Sequence, residues 1–130
     1  DGLALNLERL AMQFHLRMPK YKVFCWTQGE TDEDNEVNQA TYTGKLETLA
    51  TMLLGAGYDA FAINLVGLRT DRPGTWAAGI RRAQQDVASR FEKVIVGYHH
   101  AKDFVELSLM GDFIHYSQAG HDLLGKGAAK

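Results

Sequence analysis

Asp112 and His115 are the residues whose types and spacing come closest to acid–base chemistry. A carboxylate three residues before a histidine, on a loop that enters a helix, can accept a hydrogen bond from one imidazole nitrogen. The other nitrogen is then free to act as a general base. An isolated Asp-x-x-His arises often by chance, and the aspartate then caps a helix while the histidine lies on the surface. The pair therefore indicates a hydrolase site only if the fold brings other polar groups to it.

A second polar block, Trp26 to Asp32, directly follows an apolar run typical of a strand. Gly29 allows a sharp turn and a close approach to a ligand. The Gln28 amide and nearby backbone N–H groups could serve as donors to a developing oxyanion, and Glu30 could orient those donors. The alternative is an ordinary polar turn, in which the acidic run from Glu30 to Glu36 is a solvated loop with Glu30 as its inward-facing member.

His99 and His100 follow a third apolar run and could line a substrate crevice. Adjacent side chains on an extended segment point to opposite faces, so the two imidazoles are not expected to share a ligand. A metal site built from His100, Asp103 and His121 is conceivable, although no recognised ligand spacing supports it. We therefore predict neither a metal nor another cofactor.

The elements that must position these residues alternate between helices and strands. Apolar periodicity predicts a helix from Leu3 to about Arg17, one from Tyr42 to Leu54, one from Trp76 to about Phe91 with Thr75 as its cap, and one from Gln118 or Ala119. Unbroken apolar runs predict buried strands at Val23–Trp26, Phe61–Val66 and Val94–Gly97, with loops at Gln28–Asn38 and Arg69–Gly74. This alternation predicts an α/β fold with a parallel sheet. The carboxyl ends of its strands share one edge, where both polar blocks should meet.

Composition restricts the class of protein. The chain has 130 residues, 45% of them hydrophobic and 23% charged, which suits a single globular domain. Its net charge of −2 is spread along the sequence and gives no case for binding nucleic acid or an anionic membrane. No apolar run is long enough for a membrane span. Cys25 is the one cysteine, which excludes an internal disulfide and a thiolate metal site.

Several strings together resemble a known family. They are Trp26-Thr27-Gln28-Gly29-Glu30-Thr31-Asp32, Tyr42, Arg82-Ala83-Gln84 and Asp112-x-x-His115, between about Leu10 and Gly125. They look like the sialate O-acetylesterase type of carbohydrate esterase in the SGNH (GDSL-like) hydrolase superfamily. The resemblance implies a flavodoxin-like three-layer α/β/α sandwich and a Ser-His-Asp centre. It also implies hydrolysis of acetyl esters on sugar hydroxyls without a metal.

The resemblance assigns roles by position. His115 becomes the general base and Asp112 its orienting carboxylate. Gln28 and Gly29 belong to the block that contributes to the oxyanion site, and Glu30 supports that block and could contact the substrate. Arg82 and Gln84 are expected to be structural and to brace the Glu30 loop.

The nucleophile departs from the family pattern. The family's serine lies in a Gly-x-Ser block after the first strand, upstream of the Gln-Gly-Glu string, whereas no serine precedes Val23 here. Ser89, Ser108 and Ser117 do not follow a strand in a tight glycine turn, as an activated serine would. We therefore expect residues 1–130 to be the C-terminal part of a single SGNH domain that is incomplete at its N-terminus. Such a chain would be inactive alone, with the serine coming from an upstream segment or a second chain.

Two other functions remain open beside an esterase for acetylated saccharides. One is a non-catalytic carbohydrate-binding or assembly domain on the same scaffold. The other is a hydrolase that uses paired carboxylates such as Glu30 and Asp112. The strand Val23–Trp26 should have an unpaired edge, so we expect it to associate with the N-terminal complement of the domain or with a partner strand in a homo-oligomer. The resemblance implies a secreted, periplasmic or phage-virion location.

Overall fold

The computed structural model describes residues 20–129. Its strands are β1 (Val23–Trp26), β2 (Ala60–Asn64) and β3 (Val94–Tyr98). Its helices are α1 (Glu30–Asp34), α2 (Gln39–Gly55), α3 (Thr75–Arg90) and α4 (Gln118–Ala128), with a 3-10 turn at Ala101–Asp103. The helix predicted from Leu3 to Arg17 lies outside the described residues.

The three strands form one parallel sheet in the order β1-β2-β3. Val23 of β1 lies opposite Ala60, and Phe61 of β2 lies opposite Val94. The register between β2 and β3 shifts after Ile63, so Asn64 pairs with Tyr98. The predicted α/β class with a parallel sheet is confirmed, and all three strands point their carboxyl ends toward the same edge.

Helices lie on both faces of the sheet. The main core joins α2 and α3 to the face that carries Phe61 and Ile63, through the buried residues Tyr42, Leu46, Ala50, Leu53, Ile80, Ala83 and Val87. Ala62 and Gly97 point to the opposite face, where a methyl group at Gly97 would lie 3.7 Å from the Cβ of Ala128 in α4. A smaller cluster of Tyr98, Ala101, Phe104 and Leu124 closes that side. This layering is consistent with a flavodoxin-like SGNH sandwich.

Burial of the strands is uneven, which corrects the prediction that all three are buried on both faces. Residues 61–64 of β2 are buried, whereas β1 alternates between exposed and half-buried positions. Ile95 of β3 is 49% exposed and Val96 is 37% exposed. The reason is position, because β1 and β3 are the outer strands of the sheet within residues 20–129.

The segment predicted as a loop from Gln28 to Asn38 contains α1, so that prediction is wrong in part. This helix is short and polar and has no apolar period that a sequence pattern could reveal. Its Glu33 side chain is fully buried, which corrects the picture of a solvated acidic run with Glu30 as the inward member. Arg69 and Arg72 partly offset the cost of that buried carboxyl, although burial still raises the pKa of Glu33 from its ordinary value of 4.5.

Two helix starts differ from the predictions. Asn38 caps α2 by accepting a hydrogen bond from the Thr41 N–H at 2.9 Å, so this helix begins three residues earlier than expected. Thr75 does not cap α3. It is the first helical residue after Gly74, and no side-chain hydrogen bond caps that end.

Candidate active site

The segment that carries Asp112 and His115 is a closed loop. Met110 and Tyr116 form an isolated antiparallel bridge at its base. The Gly111 N–H donates to the His115 carbonyl at 2.8 Å, and the Ser117 N–H donates to the Leu109 carbonyl at 2.8 Å. These backbone bonds hold both ends of the loop, so the positions of its side chains are set before α4 begins.

Asp112 is bonded to its own loop through both carboxylate oxygens. Oδ1 accepts from the Ile114 N–H at 2.8 Å and from the His115 N–H at 2.7 Å. Oδ2 lies 2.7 Å from Nδ1 of His115. The main-chain N–H of His115, then its imidazole and the Ile114 N–H, lower the pKa of Asp112 to about 2. The carboxylate is therefore ionised across the physiological range and can fix the imidazole with Nδ1 toward it and Nε2 available.

This geometry excludes a helix-capping role for Asp112. Ser117 caps α4 instead, because its hydroxyl accepts from the Gly120 N–H at 3.3 Å. The pair is open to solvent, since the His115 side chain is 77% exposed and that of Asp112 is 48% exposed. The arrangement has the orientation of a general base with its carboxylate, at a surface that no other described element covers.

Gly29 occupies a position that suits no other residue type. Its φ of 156° lies in the region that L side chains rarely adopt. A Cβ there would also lie 3.0 Å from Ile80 and 3.1 Å from Val66. The turn after β1 is therefore pressed against α3 and the end of β2, as expected of a glycine at a close approach.

Two long-range hydrogen bonds hold the main chain of this turn. The Gln28 carbonyl accepts from the Tyr42 hydroxyl at 3.2 Å and from Nε2 of Gln84 at 3.0 Å. The other end of the Gln84 amide accepts from the buried Val66 N–H at 2.9 Å. Gln84 thus connects the ends of β1 and β2 through a fully buried side chain.

Arg82, the other residue expected to brace this loop, is exposed. Its neighbour Arg81 makes comparable contacts elsewhere, donating to the Val66 carbonyl and, at 2.8 Å, to the His99 carbonyl. Arg81 therefore joins the ends of β2 and β3. Its role is not predictable from the sequence, because an arginine on a helix carries no signal of which carbonyls it will reach.

Tyr116 brings the two polar blocks together. Its hydroxyl accepts from the Gly67 N–H at 3.0 Å and donates toward Oε1 of Glu30 at 3.5 Å. Its ring packs edge-on against Phe104 at 5.0 Å. A Cβ on Gly67 would lie 2.6 Å from the hydroxyl, so this contact requires glycine there. Burial, and then the charge of Glu30, raise the pKa of Tyr116, which keeps the hydroxyl protonated as a donor.

Neither Tyr116 nor Gly67 was predicted from the sequence to be a site residue. The one available signal was a glycine immediately after the strand Phe61–Val66, which is typical of a close backbone approach at a sheet edge. Glu30 is the member of the Gln28-Gly29-Glu30 block that reaches the His115 loop. Gln28 instead lines a pocket of about 390 Å³ beside β1, together with Trp26, Asp32, Tyr42, Lys45, Leu46 and Leu49.

His99 and His100 lie closer together than predicted. Their ring centroids are 3.9 Å apart, because His100 has left the extended conformation, with φ −92° and ψ 4°. The expectation that they point to opposite faces is therefore wrong. Nδ1 of His100 also lies 3.2 Å from Oδ2 of Asp103, which makes a second histidine–carboxylate pair at the end of β3. Both histidines are exposed near that edge.

The serines occupy the places expected from their contexts. Ser89 lies in α3 and donates to the Asp86 carbonyl, Ser117 caps α4, and Ser108 lies in a turn with φ 55°. Across residues 20–129, no three His, Cys, Asp or Glu side chains are grouped so that they could hold a metal ion. The same part of the chain contains no helix long and apolar enough to cross a membrane.

The sequence matches one known protein family. Residues 6–130 match the family model described as carbohydrate esterase, sialic acid-specific acetylesterase. The chain belongs to this family. The match covers nearly the whole sequence and confirms the resemblance carried by the Trp26–Asp32 string and the Asp112–His115 pair. Neither the curated proteins nor the solved structures gave a match.

Proposed function

We propose that this carbohydrate esterase domain removes acetyl groups from sugar hydroxyls and that His115 is its general base. The observation that carries the proposal is the 2.7 Å contact between Nδ1 of His115 and Oδ2 of Asp112, in a loop that holds the carboxylate by two further N–H donors. A carboxylate fixed in this way selects the imidazole tautomer whose Nε2 can accept a proton.

The reaction begins with a serine hydroxyl attacking the acetyl carbonyl. Nε2 of His115 takes the hydroxyl proton and later gives it to the departing sugar oxygen, while Asp112 stabilises the imidazolium. The backbone N–H of Gly29 is proposed to stabilise the oxyanion, a contribution of roughly 3–4 kcal/mol for one donor in a serine hydrolase. Gln28 was expected to contribute as well, but it lines the separate pocket beside β1. Glu30 acts through Tyr116 to hold the His115 loop near that block.

The nucleophile is proposed to come from outside these 130 residues, on an upstream segment of the same domain or on a second chain. The positions of Ser89, Ser108 and Ser117 support this, because two of the hydroxyls are engaged in α-helix contacts and the third lies in a surface turn. The exposure of His115 also supports it, since a working base would be covered by its nucleophile and substrate. On this proposal the chain alone is inactive.

Acetate release from an acetylated saccharide tests the assignment, with the full-length protein as the enzyme. His115→Ala should lower kcat by roughly 10⁴- to 10⁶-fold, as removal of a triad member does. His100→Ala is the matched comparison, because His100 is also exposed and also pairs with a carboxylate three residues away. Its kcat should stay close to that of the wild type, because a residue that only lines the crevice affects KM and not the proton transfer. Wild-type rates in His115→Ala, or an equal loss in His100→Ala, would refute the role of His115.

A non-catalytic carbohydrate-binding domain is the second candidate, and the lack of an activated serine in the chain favours it. It predicts saccharide binding without acetate release from the full-length protein, and no effect of His115→Ala on binding. A glycosidase based on Glu30 and Asp112 has less support, since both carboxylate oxygens of Asp112 are engaged within its own loop, by two N–H donors and by the His115 imidazole.

A further inference from the structure

A pocket of about 430 Å³ lies between the end of α1 and the start of α3. Its lining residues are Asp34, Glu36, Asp71, Arg72, Pro73, Thr75 and Trp76. The volume lies within the range of small-ligand sites in proteins. None of these residues belongs to the proposed catalytic groups or to the oxyanion block.

The pocket adjoins the catalytic loop through Arg69. The guanidinium of Arg69 lies 5.3 Å from the centre of the Phe113 ring, and Phe113 is next to Asp112. The Thr70 N–H also donates to the Phe113 carbonyl at 3.1 Å. The Asp112–His115 loop is therefore joined to the pocket through residues 69–72, of which Asp71 and Arg72 line the pocket.

The pocket walls are held rigidly by ion pairs. Arg69 is only 8% exposed and donates to both carboxylate oxygens of Asp71 at 2.8 Å. Oδ1 of Asp34 accepts from Arg69 at 3.1 Å and from Arg72 at 2.8 Å. Each guanidinium is thus already paired with a carboxylate of the pocket. Bidentate pairs of this kind hold their side chains in one geometry.

The chemistry of the walls matches a sugar ring. The Trp76 side chain is an aromatic surface at the edge of the pocket, with the residue 36% exposed, and Pro73 adds a second apolar surface. The C–H face of a sugar can lie against the electron-rich face of an indole. The carboxylates and the Arg72 guanidinium of the lining can accept and donate hydrogen bonds with sugar hydroxyls.

The charge of the pocket decides which sugars fit. Three carboxylates line it, against Arg72 in the wall and Arg69 behind it, and both arginines are engaged with Asp34 and Asp71. A ligand carboxylate would meet like charge and would have to displace an existing ion pair. A neutral ring would meet neither penalty.

We propose that this pocket is a subsite for an uncharged sugar unit of the substrate and that it discriminates against a sugar carrying a carboxylate. This proposal rests on the proposed esterase function, because the pocket is a substrate subsite only if the domain is that esterase. Sugar binding to the pocket is nevertheless measurable without any turnover. The acetylated unit at His115 and the unit in this pocket would be different parts of one saccharide.

Nuclear magnetic resonance of the full-length protein tests the subsite directly through its indole N–H resonances. The probes are methyl β-galactoside, which is neutral, and the methyl glycoside of N-acetylneuraminic acid, which is anionic. A Trp76→Phe variant assigns the Trp76 resonance. We expect that resonance to shift saturably with the neutral glycoside and to need at least a tenfold higher concentration of the anionic one, a difference of about 1.4 kcal/mol.

Variants separate the pocket from the rest of the surface. Trp76→Ala should weaken binding of the neutral glycoside at least tenfold, measured through the resonances of the glycoside itself because the variant lacks the Trp76 indole. Tyr21→Ala, which removes an exposed aromatic ring at the opposite edge of the sheet, should leave binding unchanged. Glu36→Gln removes one negative charge and keeps the Asp34 and Asp71 ion pairs. It should therefore reduce the difference in binding affinity between the neutral and the anionic glycoside.

The subsite is refuted if the Trp76 resonance does not respond to the neutral glycoside, or if the anionic glycoside binds as tightly. The response of the unmodified protein does not depend on whether a variant folds. Hydrolysis of a small aryl acetate by the same preparation reports on the esterase alone, because that ester carries no sugar. Binding without hydrolysis would therefore count against the esterase, and hydrolysis without binding would count against the subsite.

Discussion

At the scale of single residues, the proposed site depends on a few polar contacts that restrict motion. Asp112 makes three hydrogen bonds inside its own loop, and only one of them goes to the imidazole. The backbone of the loop thus fixes the Asp112 carboxylate, and the carboxylate in turn orients the His115 imidazole. Tyr116, the next residue, connects this loop to two others, because its hydroxyl bonds to the Gly67 N–H and to the Glu30 carboxylate.

Tyr116→Phe is predicted to lower kcat and leave KM nearly unchanged, because the hydroxyl positions the His115 loop and is not assigned a contact with the substrate. The change also leaves the Gly67 N–H without its acceptor, which should cost about 1–3 kcal/mol of unfolding free energy. Kinetics on acetylated saccharide and denaturant unfolding measure the two effects. The variant keeps the packing of the ring, since phenylalanine can make the same contact with Phe104.

Tyr98→Phe is the matched control for this prediction. Tyr98 is also buried and also packs against Phe104, with ring centroids 5.8 Å apart. It should retain kcat. A positioning role for Tyr116 also requires a changed pH profile of kcat/KM, because the environment of His115 shifts with its loop. Equal behaviour of the two variants would show that the Tyr116 hydroxyl has no special role.

At the scale of elements, the carboxyl edge of the sheet is braced by residues from α3. Gln84 connects the turn after β1 to the end of β2, and Arg81 connects the ends of β2 and β3. The helix α1 lies at the same edge and turns Glu33 inward. Neither carboxylate oxygen of Glu33 has a hydrogen-bond partner among the described residues. Such a group is an expected source of pH-dependent stability.

Glu33→Gln is predicted to stabilise the protein at alkaline pH relative to the wild type. The pKa of Glu33 is raised in the folded state, so the folded protein binds this proton more tightly than the unfolded chain does. The wild type therefore loses stability as pH rises above about 4.5, whereas the variant has no such proton to lose. Thermal unfolding at pH 5 and pH 8 should show a Tm advantage of a few degrees for the variant that grows with pH.

Glu36→Gln supplies the control for this prediction, because Glu36 follows the same short helix and is exposed. Its Tm difference from the wild type should stay constant between the two pH values. If Glu33→Gln instead lost stability more strongly at pH 8, the Glu33 carboxylate would have to be stabilised by Arg69 and Arg72 beyond the cost of its burial.

At the scale of the whole molecule, the sheet ends on both sides within the described residues. β1 and β3 are its outer strands, and apolar side chains are exposed on both: Val23 is 50% exposed and Ile95 is 49% exposed. An outer strand with unpaired N–H and C=O groups is a site for strand addition. We propose that β1 pairs with the N-terminal complement of the domain that also brings the serine.

Residues 1–130 purified alone are accordingly predicted to self-associate or to require that complement. Light scattering over a range of concentrations measures the association. Val23→Lys on β1 should weaken it, since an edge lysine opposes strand pairing. Ile95→Lys on β3 is the matched change on the other outer strand, and it should have little effect because the complement is proposed to pair with β1. A well-folded monomer at all concentrations would contradict the prediction.

The sequence by itself determined the order of helices and strands, the α/β class and the placement of both polar blocks at one sheet edge. These follow from local properties, since periodicity and turn residues act within a few positions of the chain. It also singled out Gln28, Gly29, Glu30, Asp112 and His115, together with the family to which the chain belongs. The short polar helix α1 could not be predicted from the sequence, because it carries no apolar period.

Only the tertiary structure decided which distant residues meet. Tyr116 and Glu30 are 86 positions apart, and no local pattern marks their contact. The same holds for the burial of Glu33, the close approach of His99 to His100 and the pocket beside Trp76. Each depends on how helices and loops from different parts of the chain pack around the sheet. Hydrogen bonds and burial of this kind are properties of the packed molecule, whereas periodicity belongs to the chain.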